Sequence, residues 1–365
     1  MSDSKITIVG AGLSGMVAGI NLARDGYEVE IWEGAKTIGQ LEDFHPSVHA
    51  TPANPRRISN YIGIDVTPGF VPCKLLVNYT GDQPYEMGID NFYVVERGGR
   101  KTSMDSYLYN ICIECGIKFR FNTFIKSLKD VPERAIVATG LNKEGMEAIG
   151  VRYDVGTGVY ARKKLDNPRY EDACMVWYGG YTQDYGYLSV INDLMFFSVF
   201  ARGELTEEQV EAAKAHLIET ENLEFPKWTY HTGHIPILDA NSLKLFKGNR
   251  ILTGTICGMI DPMALFGIHG ALMSGKIAYW AVTDTEKALD EFKVLNKNYQ
   301  RVRIWSANLR RMPMRVSFMQ FMLNFPRLMT SMMALMDDGI PGYDYHCSRD
   351  TLLKSKKLPK KTSKK

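Results

Sequence analysis

Three glycines constrain this chain more than any other feature in it. Ile6–Val9 is a short apolar run that reads as a buried parallel strand, and Gly10-x-Gly12-x-x-Gly15 follows at once. Val17, Ile20 and Leu22-Ala23 then supply the apolar face of a helix, with Gly26 placed as its stop. Val29, Ile31 and Trp32 read as a second strand that ends at Glu33. The spacing has a chemical reason. Gly10 permits a tight turn, Gly12 lets backbone approach a pyrophosphate, and Gly15 lets helix pack on strand. The helix N-terminus at Leu13 and Ser14 offers N–H groups and partial positive charge to that pyrophosphate. Glu33, 23 residues after Gly10, is placed to accept hydrogen bonds from a ribose diol. The expectation is a dinucleotide-binding βαβ unit.

The remaining composition sets bounds. A chain of 365 residues is long enough for two interleaved domains with a full core. A net charge of +3 implies no general nucleic-acid surface. Six cysteines show no paired zinc pattern, and Cys112 and Cys115 fall in one predicted helix, so no metal site is expected. Met1–Lys5 runs straight into the first strand, so no signal peptide is expected; the chain reads as cytoplasmic with reduced thiols.

Residues 34–91 read as loop-rich, broken by nine Gly and Pro residues from Gly34 to Pro72, and a long segment of this kind often covers a ligand. Two histidines within it, His45 and His49, are candidate catalytic groups, with loop packing as the competing reading. Phe92–Glu96 alternates like a strand, Thr102 or Ser103 caps a helix to Cys115, and Ile117–Phe121 is a further strand. Ala135–Gly140 reads as a buried strand whose small-residue end, at Gly140, lets a cofactor cross the sheet edge.

From about Gly156 to Ile237 the pattern changes to strands joined by turns: Val159–Lys163, Ala173–Tyr178, Tyr185–Val190 and Leu194–Ala201. Their aromatics, Trp177, Tyr185 and Tyr187 foremost, are candidate walls of a ligand cavity, against ordinary core packing. Thr206 begins a capped amphipathic helix. Arg250–Val282 returns to the first architecture, with a strand at Ile251–Thr253, a glycine-rich stretch from Gly254 to Gly270 and a helix behind it: a second ligand-binding helix N-terminus. Thr285–Arg311 is a charged helix with acids early and arginines late. Residues 312–336 are rich in Met and Phe but interrupted by Arg315, Pro326 and Arg327, which argues against a spanning helix and for an apolar lid or membrane-surface element, or a helical layer on the core. The lysine-rich tail from Lys354 is expected to be disordered.

The opening motif, Gly10-x-Gly12-x-x-Gly15 through Gly26 to Glu33, resembles the FAD fingerprint of two-domain flavoproteins. Gly254, Gly258, Pro262, Gly267, Ile268, Ala271, Ser274 and Gly275 resemble, without a gap, the flavin-ring motif of the geranylgeranyl reductase family. Tyr178-Gly179-Gly180-Tyr181 and Tyr185-Gly186-Tyr187 resemble its substrate-domain strand more loosely. The resemblance covers about residues 5–285. It implies the FAD-binding fold of p-hydroxybenzoate hydroxylase type, shared by the electron-transfer-flavoprotein:quinone oxidoreductases. Two positions depart from the family. Thr255 stands where an Asp usually follows the glycine, and Ile38–Pro46 lacks the cysteine many family reductases carry. The four-cysteine iron–sulfur domain of the quinone oxidoreductases is missing too.

Together these readings give an α/β chain: a Rossmann-like FAD-binding domain (1–155, returning at 241–284), an inserted antiparallel-sheet substrate domain (156–240), a C-terminal helical region (285–345) and a basic tail (346–365). The resemblance implies an FAD-dependent oxidoreductase that reduces carbon–carbon double bonds in a hydrophobic, isoprenoid or quinone-like substrate. The alternatives are an aromatic-hydroxylase-type flavin monooxygenase and a flavin electron-transfer subunit. Expected cofactor contacts are Gly10, Gly12, Leu13, Ser14, Gly15, Glu33, Gly140, Gly254, Asp261, Pro262, Gly267 and Ile268; the catalytic candidates are Tyr185, Tyr187, His45 and His269. The electron donor is not specified by any second glycine motif, and an anionic membrane surface is a further expected partner.

Overall fold

The computed structural model describes residues 5–40, 44–88, 92–182, 184–239, 243–262, 265–325, 328 and 354–359. The expectations for Pro326 and Arg327, for 329–353 and for 360–365 lie outside these residues.

The first unit forms as its pattern dictates. Strand β1 (Lys5–Val9), helix α1 (Leu13–Arg24) and strand β2 (Glu28–Trp32) follow one another, and β1 pairs in parallel with β2. Ile8, Met16, Val17, Ile20 and Ile31 are fully enclosed, so this unit is the centre of the main core. Next come β3 (Ser47–Pro52), α2 (Pro55–Ile62), β4 (Val71–Pro72), β5 (Leu75–Thr80), β6 (Gln83–Gly88) and β7 (Phe92–Arg97). The loop-rich reading of residues 34–91 is therefore corrected. The prolines there mark element ends: Pro55 opens α2, whose N-cap Asn54 accepts from Arg57 N–H, and Gly63 ends it in the left-handed region.

Helix α3 (Met104–Glu114) is capped by Ser103, and β8 (Lys118–Arg120), β9 (Ile136–Val137) and α4 (Lys143–Ile149) follow. The inserted sheet is built from β10 (Tyr153–Lys164), β11 (Ala173–Tyr178), β12 (Gly186–Ile191) and β13 (Leu194–Arg202). Helix α5 (Glu207–Glu221) starts at a Thr206/Gln209 capping box, and β14 (Trp228–Pro236) closes the insertion. The chain returns through β15 (Phe246–Lys247) and β16 (Arg250–Leu252) to α6 (Ile268–Thr283), α7 (Thr285–Arg311), α8 (Arg315–Asn324) and β17 (Lys354–Lys357).

Three sheets result. The first runs β15-β16-β9-β1-β2-β8, parallel except for the edge strand β15. The second runs β14-β10-β13-β12-β11-β5-β6-β17, and the third is β3-β7-β4. The second is not purely antiparallel as expected, because β5 pairs in parallel with β11, Leu76 beside Cys174. The tail also departs from expectation: Lys354–Lys357 adds antiparallel to the edge of β6, where backbone groups would otherwise lack partners.

The second sheet has two faces, and strand alternation sorts its aromatics between them. Trp177 and Phe197 belong to the core under α5, where Trp177 Nε1 donates to Thr220 Oγ1 at 2.8 Å. Trp177 is thus no ligand wall; it is one residue out of phase with the other face. Tyr160, Tyr178, Tyr185, Tyr187, Phe196 and Phe200 occupy that other face, against β3.

Candidate functional site

The turn after β1 shows why its glycines are glycines. Gly10 has φ of +107°, and a Cβ there would lie 2.4 Å from the Ala138 carbonyl oxygen. A Cβ on Gly15 would lie 2.2 Å from the Gly10 oxygen. Gly12 differs: the nearest atom to its would-be Cβ is 3.8 Å away. Gly12 is also the N-cap of α1, and no side chain caps that helix. Its N-terminal N–H groups and dipole are therefore available to an anion.

A cavity of about 780 Å³ opens at this turn. Gly10, Gly12, Glu33 and Gly140 line it, with Asn122–Lys126 and Thr139–Asn142 on its flanks. The carboxylate of Glu33 is fixed there by two backbone donors, Ala11 N–H to Oε2 at 2.8 Å and Ala35 N–H to Oε1 at 2.9 Å. A carboxylate held this way keeps lone pairs for a diol. Gly140 has φ of +62° and nothing within 4 Å of a would-be Cβ. Thr139 presents at the same wall a buried hydroxyl that has no partner among the described residues. Open glycines, an uncapped helix end, a fixed carboxylate and an unsatisfied hydroxyl together fit a dinucleotide. Leu13, Ser14 and Gly15 do not line the cavity; all three are buried in α1. The Ser14 hydroxyl packs against Gly254, where a Cβ would come within 2.5 Å of it.

His45, Arg97 and Asp105 also line the cavity. Arg97 holds Asp105 with two hydrogen bonds, and Gly98 N–H adds a third at 2.9 Å. Burial pushes the Asp105 carboxyl up, yet the charge and hydrogen bonds of Arg97 outweigh it and hold the group below its usual range. From His45 a polar chain leads to the aromatic face. His45 Nδ1 lies 2.8 Å from Ser47 Oγ, which lies 2.9 Å from His49 Nε2, and His49 Nδ1 lies 3.5 Å from Tyr187 Oη. Burial, then Arg97, lowers both imidazoles, His45 to about 4 and His49 to about 3, so both are neutral at pH 7. Burial raises the Tyr185 and Tyr187 phenols, which stay protonated. Two catalytic candidates, His45 and Tyr187, thus meet through two intervening residues, with Tyr185 beside Tyr187 at a centroid distance of 6.2 Å. The fourth candidate, His269, sits in α6, its Nδ1 3.4 Å from the Tyr299 hydroxyl.

The second glycine motif builds a separate helix end. Gly254, at φ +74°, opens a 3-10 turn, and its N–H donates to Ser274 Oγ at 2.9 Å. Gly267 is the N-cap of α6, again without a side-chain cap, and Thr255 Oγ1 stands 3.5 Å from its would-be Cβ. Asp261 and Ile268 are buried, and the Pro262 carbonyl accepts from Arg202 and Ser306. None of Gly254, Asp261, Pro262, Gly267 and Ile268 lines the cavity at Gly12. Arg97, Asp105, Ser47 and Thr139 were not singled out from the sequence. Ser47 carried a signal in hindsight: it alternates with His49 on one strand.

Residues 8–46 match a family model described as an NAD(P)-binding Rossmann-like domain. No curated protein matches the chain. Among solved structures, a geranylgeranyl bacteriochlorophyll reductase-like protein from Thermoplasma acidophilum is 16% identical, covering 84% of this chain and 88% of its own, at a TM-score of 0.62. The p-nitrophenol 4-monooxygenase PnpA from Pseudomonas putida DLL-E4 is 13% identical over 93% and 99% of the two chains, at 0.62. CtdE, solved in complex with FAD and a substrate, is 12% identical over 84% and 88%, at 0.57. The likeness establishes a shared fold, a Rossmann-type sheet with a second inserted sheet.

Proposed function

We propose that this chain is an FAD-dependent oxidoreductase that reduces carbon–carbon double bonds in a hydrophobic, isoprenoid or quinone-like substrate. The observation that carries the cofactor is the cavity at Gly12 with the Glu33 carboxylate fixed in its wall. The fold shared with CtdE supports FAD in place of a nicotinamide dinucleotide. Gly12 and the α1 N-terminus would hold the pyrophosphate, Glu33 a ribose, and Gly140 with Thr139 the neighbouring wall. When bound, FAD supplies the transfer of an electron pair. The protein's residues bind and orient; the aromatic face around Tyr185 and Tyr187 excludes water and holds phenolic protons.

A second reading, an aromatic-ring monooxygenase, is favoured by the fold shared with PnpA over nearly its whole length. Purified protein decides between them. An absorption spectrum and mass spectrometry of the released small molecule identify the cofactor. Anaerobic reduction followed by an isoprenoid alkene, a quinone or oxygen with a phenol then separates the readings. Reoxidation by alkene or quinone supports the reductase; a hydroxylated phenol supports the monooxygenase. Activity only with a co-purifying protein supports an electron-transfer subunit. Protein that holds no flavin and cannot be loaded with FAD defeats all three.

An anionic membrane surface is part of the proposal. Helix α8 buries Met319, Met322 and Leu323 yet leaves Phe321 47% exposed, with Phe325 at its C-cap 52% exposed, so apolar side chains lie on both sides of it. Arg315 fixes its start through the Gly179 and Thr182 carbonyls. Strand β17, which packs against α8, carries exposed Lys356 and Lys357. Apolar side chains beside lysines suit a bilayer surface. Among the described residues no helix is long and apolar enough to cross a membrane.

A further inference from the structure

We propose that Ser47 and His49 relay protons between His45 in the cavity wall and Tyr187 on the aromatic face of the second sheet. The inference rests on the flavin reading, which requires a proton to accompany the electron pair. Its basis is a continuous chain of polar atoms that runs from the cavity wall to the aromatic face. Ser47 is wholly buried, and Val48 and Ala50, which alternate with it along β3, belong to an apolar cluster. Successive links measure 2.8, 2.9 and 3.5 Å. The last is at the outer limit for a hydrogen bond; catalytic hydrogen bonds that are long in the unliganded protein tighten in the complex.

Two proton patterns make the chain continuous. In both, Ser47, with one hydroxyl proton and two imidazole neighbours, donates to one ring and accepts from the other. With both rings neutral, each has one N–H. If His45 donates from Nδ1, Ser47 must donate to His49 Nε2, and His49 must then donate from Nδ1 to Tyr187. The reverse pattern runs from Tyr187 out to His45. Every donor in the chain therefore points the same way, which is the condition for passing a proton.

In the inward step, Tyr187 gives its phenolic proton to the substrate and receives the His49 Nδ1 proton. Ser47 passes its proton to His49 Nε2 and takes the His45 Nδ1 proton. His45 regains one at Nε2 from water in the cavity. The net change is one proton moved from cavity water to substrate, with no charge left on any member. The charged and titratable groups facing the histidines are Arg97, Asp105, Arg162 and His231. The three cationic or basic members among them favour neutral rings, and Asp105 alone opposes.

Two measurements test this. In FAD-loaded protein with ¹⁵N-labelled histidine, long-range ¹H–¹⁵N spectra should show His45 and His49 neutral at pH 7. Both should carry the proton on Nδ1, or both on Nε2. One ring of each kind would overturn the relay. Secondly, dithionite-reduced enzyme is mixed with menadione, a quinone probe, in H₂O and in D₂O. Ser47→Ala should slow flavin reoxidation by about ten-fold or more and abolish the wild-type solvent isotope effect. Tyr187→Phe should do the same, the double variant should be no slower, and Ser47→Thr should recover the rate. Wild-type rates in a folded Ser47→Ala protein would refute the relay. Failure of wild-type protein to take up FAD would instead refute the flavin reading, and histidine spectra of the flavin-free protein would still judge the relay.

Discussion

Arg97 grips Asp105 with two parallel hydrogen bonds, Nε to Oδ2 at 2.8 Å and Nη2 to Oδ1 at 2.9 Å. The carboxylate is 2% exposed, so it depends on that one guanidinium for its charge balance. Removing one partner of a buried pair costs about 3–5 kcal/mol, because the other charge is left uncompensated. Arg97→Ala should therefore lower the urea midpoint sharply. Arg97→Lys should recover little, since an ammonium cannot reproduce the planar fork. A stability loss below about 1 kcal/mol for Arg97→Ala, the range of an exposed pair, would contradict this account.

Glu33 and Gly12 should separate binding from folding. Glu33→Arg replaces a fixed acceptor with a cation beside the expected ribose. Loss of a hydrogen bond to a charged group is worth about 1.5–3 kcal/mol, roughly a ten- to hundred-fold weaker Kd for FAD. Gly12→Val has room on the cavity side and should yield folded protein without flavin, whereas Gly15→Val must displace the Gly10 backbone and should not fold. Isothermal titration with FAD and circular dichroism report both. FAD binding by Gly12→Val at wild-type affinity would mean that the pyrophosphate lies elsewhere.

Acid should destabilise the protein well above the carboxylate range. His45 and His49 titrate near 4 and 3 when folded, against an ordinary value of about 6.5 when unfolded. Between these values the unfolded chain binds more protons, so the stability these groups contribute is complete above pH 6.5. It is lost as pH falls through about 4. Tm should drop between pH 6.5 and 4.5, and less so in His49→Phe, a variant that also fits the neighbouring rings. An equal drop in both proteins would assign it to other groups.

Flotation with anionic liposomes tests the membrane surface. Full-length protein should float at low salt and be released at high salt, each lysine near the surface contributing about 1 kcal/mol. Removing residues 354–365, or replacing Phe321 and Phe325 by Ser, should each reduce flotation without loss of flavin. Protein that stays at the bottom of the gradient even at low salt would rule the association out.

The sequence was most readable where structure is local. The α7 boundaries follow from Asp284, whose side chain caps Lys287 N–H, and from acids and arginines at opposite ends. The β1–α1–β2 unit is legible because Gly10 and Gly15 are sterically required. Strand β5 was missed because Leu75–Thr80 is mostly buried and has no alternation, and its parallel partner β11 lies about a hundred residues away. Trp177 and Tyr178 look equivalent in a list of aromatics, and only the phase of β11 sends one to each face. The pairing of Ser47 with His49 required knowing that a proline-flanked segment is a strand. The Gly254–Ile268 group resembles a flavin-ring site in sequence; its members do not line the cavity at Gly12, and Gly254 packs against the Ser14 hydroxyl at the start of α1.

The position of β16 has a consequence for biosynthesis. It lies between β9 and β15 and pairs with β9 in parallel, Ile251 beside Ile136. Between those two strands the chain lays down β10 to β14 of the second sheet and α5. On a ribosome, the edge of β9 therefore stays open until residue 252 has emerged, long after β1 and β2 can pair. An exposed parallel edge is a template for wrong partners. Nascent chains stalled within the insertion should be the aggregation-prone species, and the period of greatest dependence on chaperones should end when Arg250–Leu252 arrives.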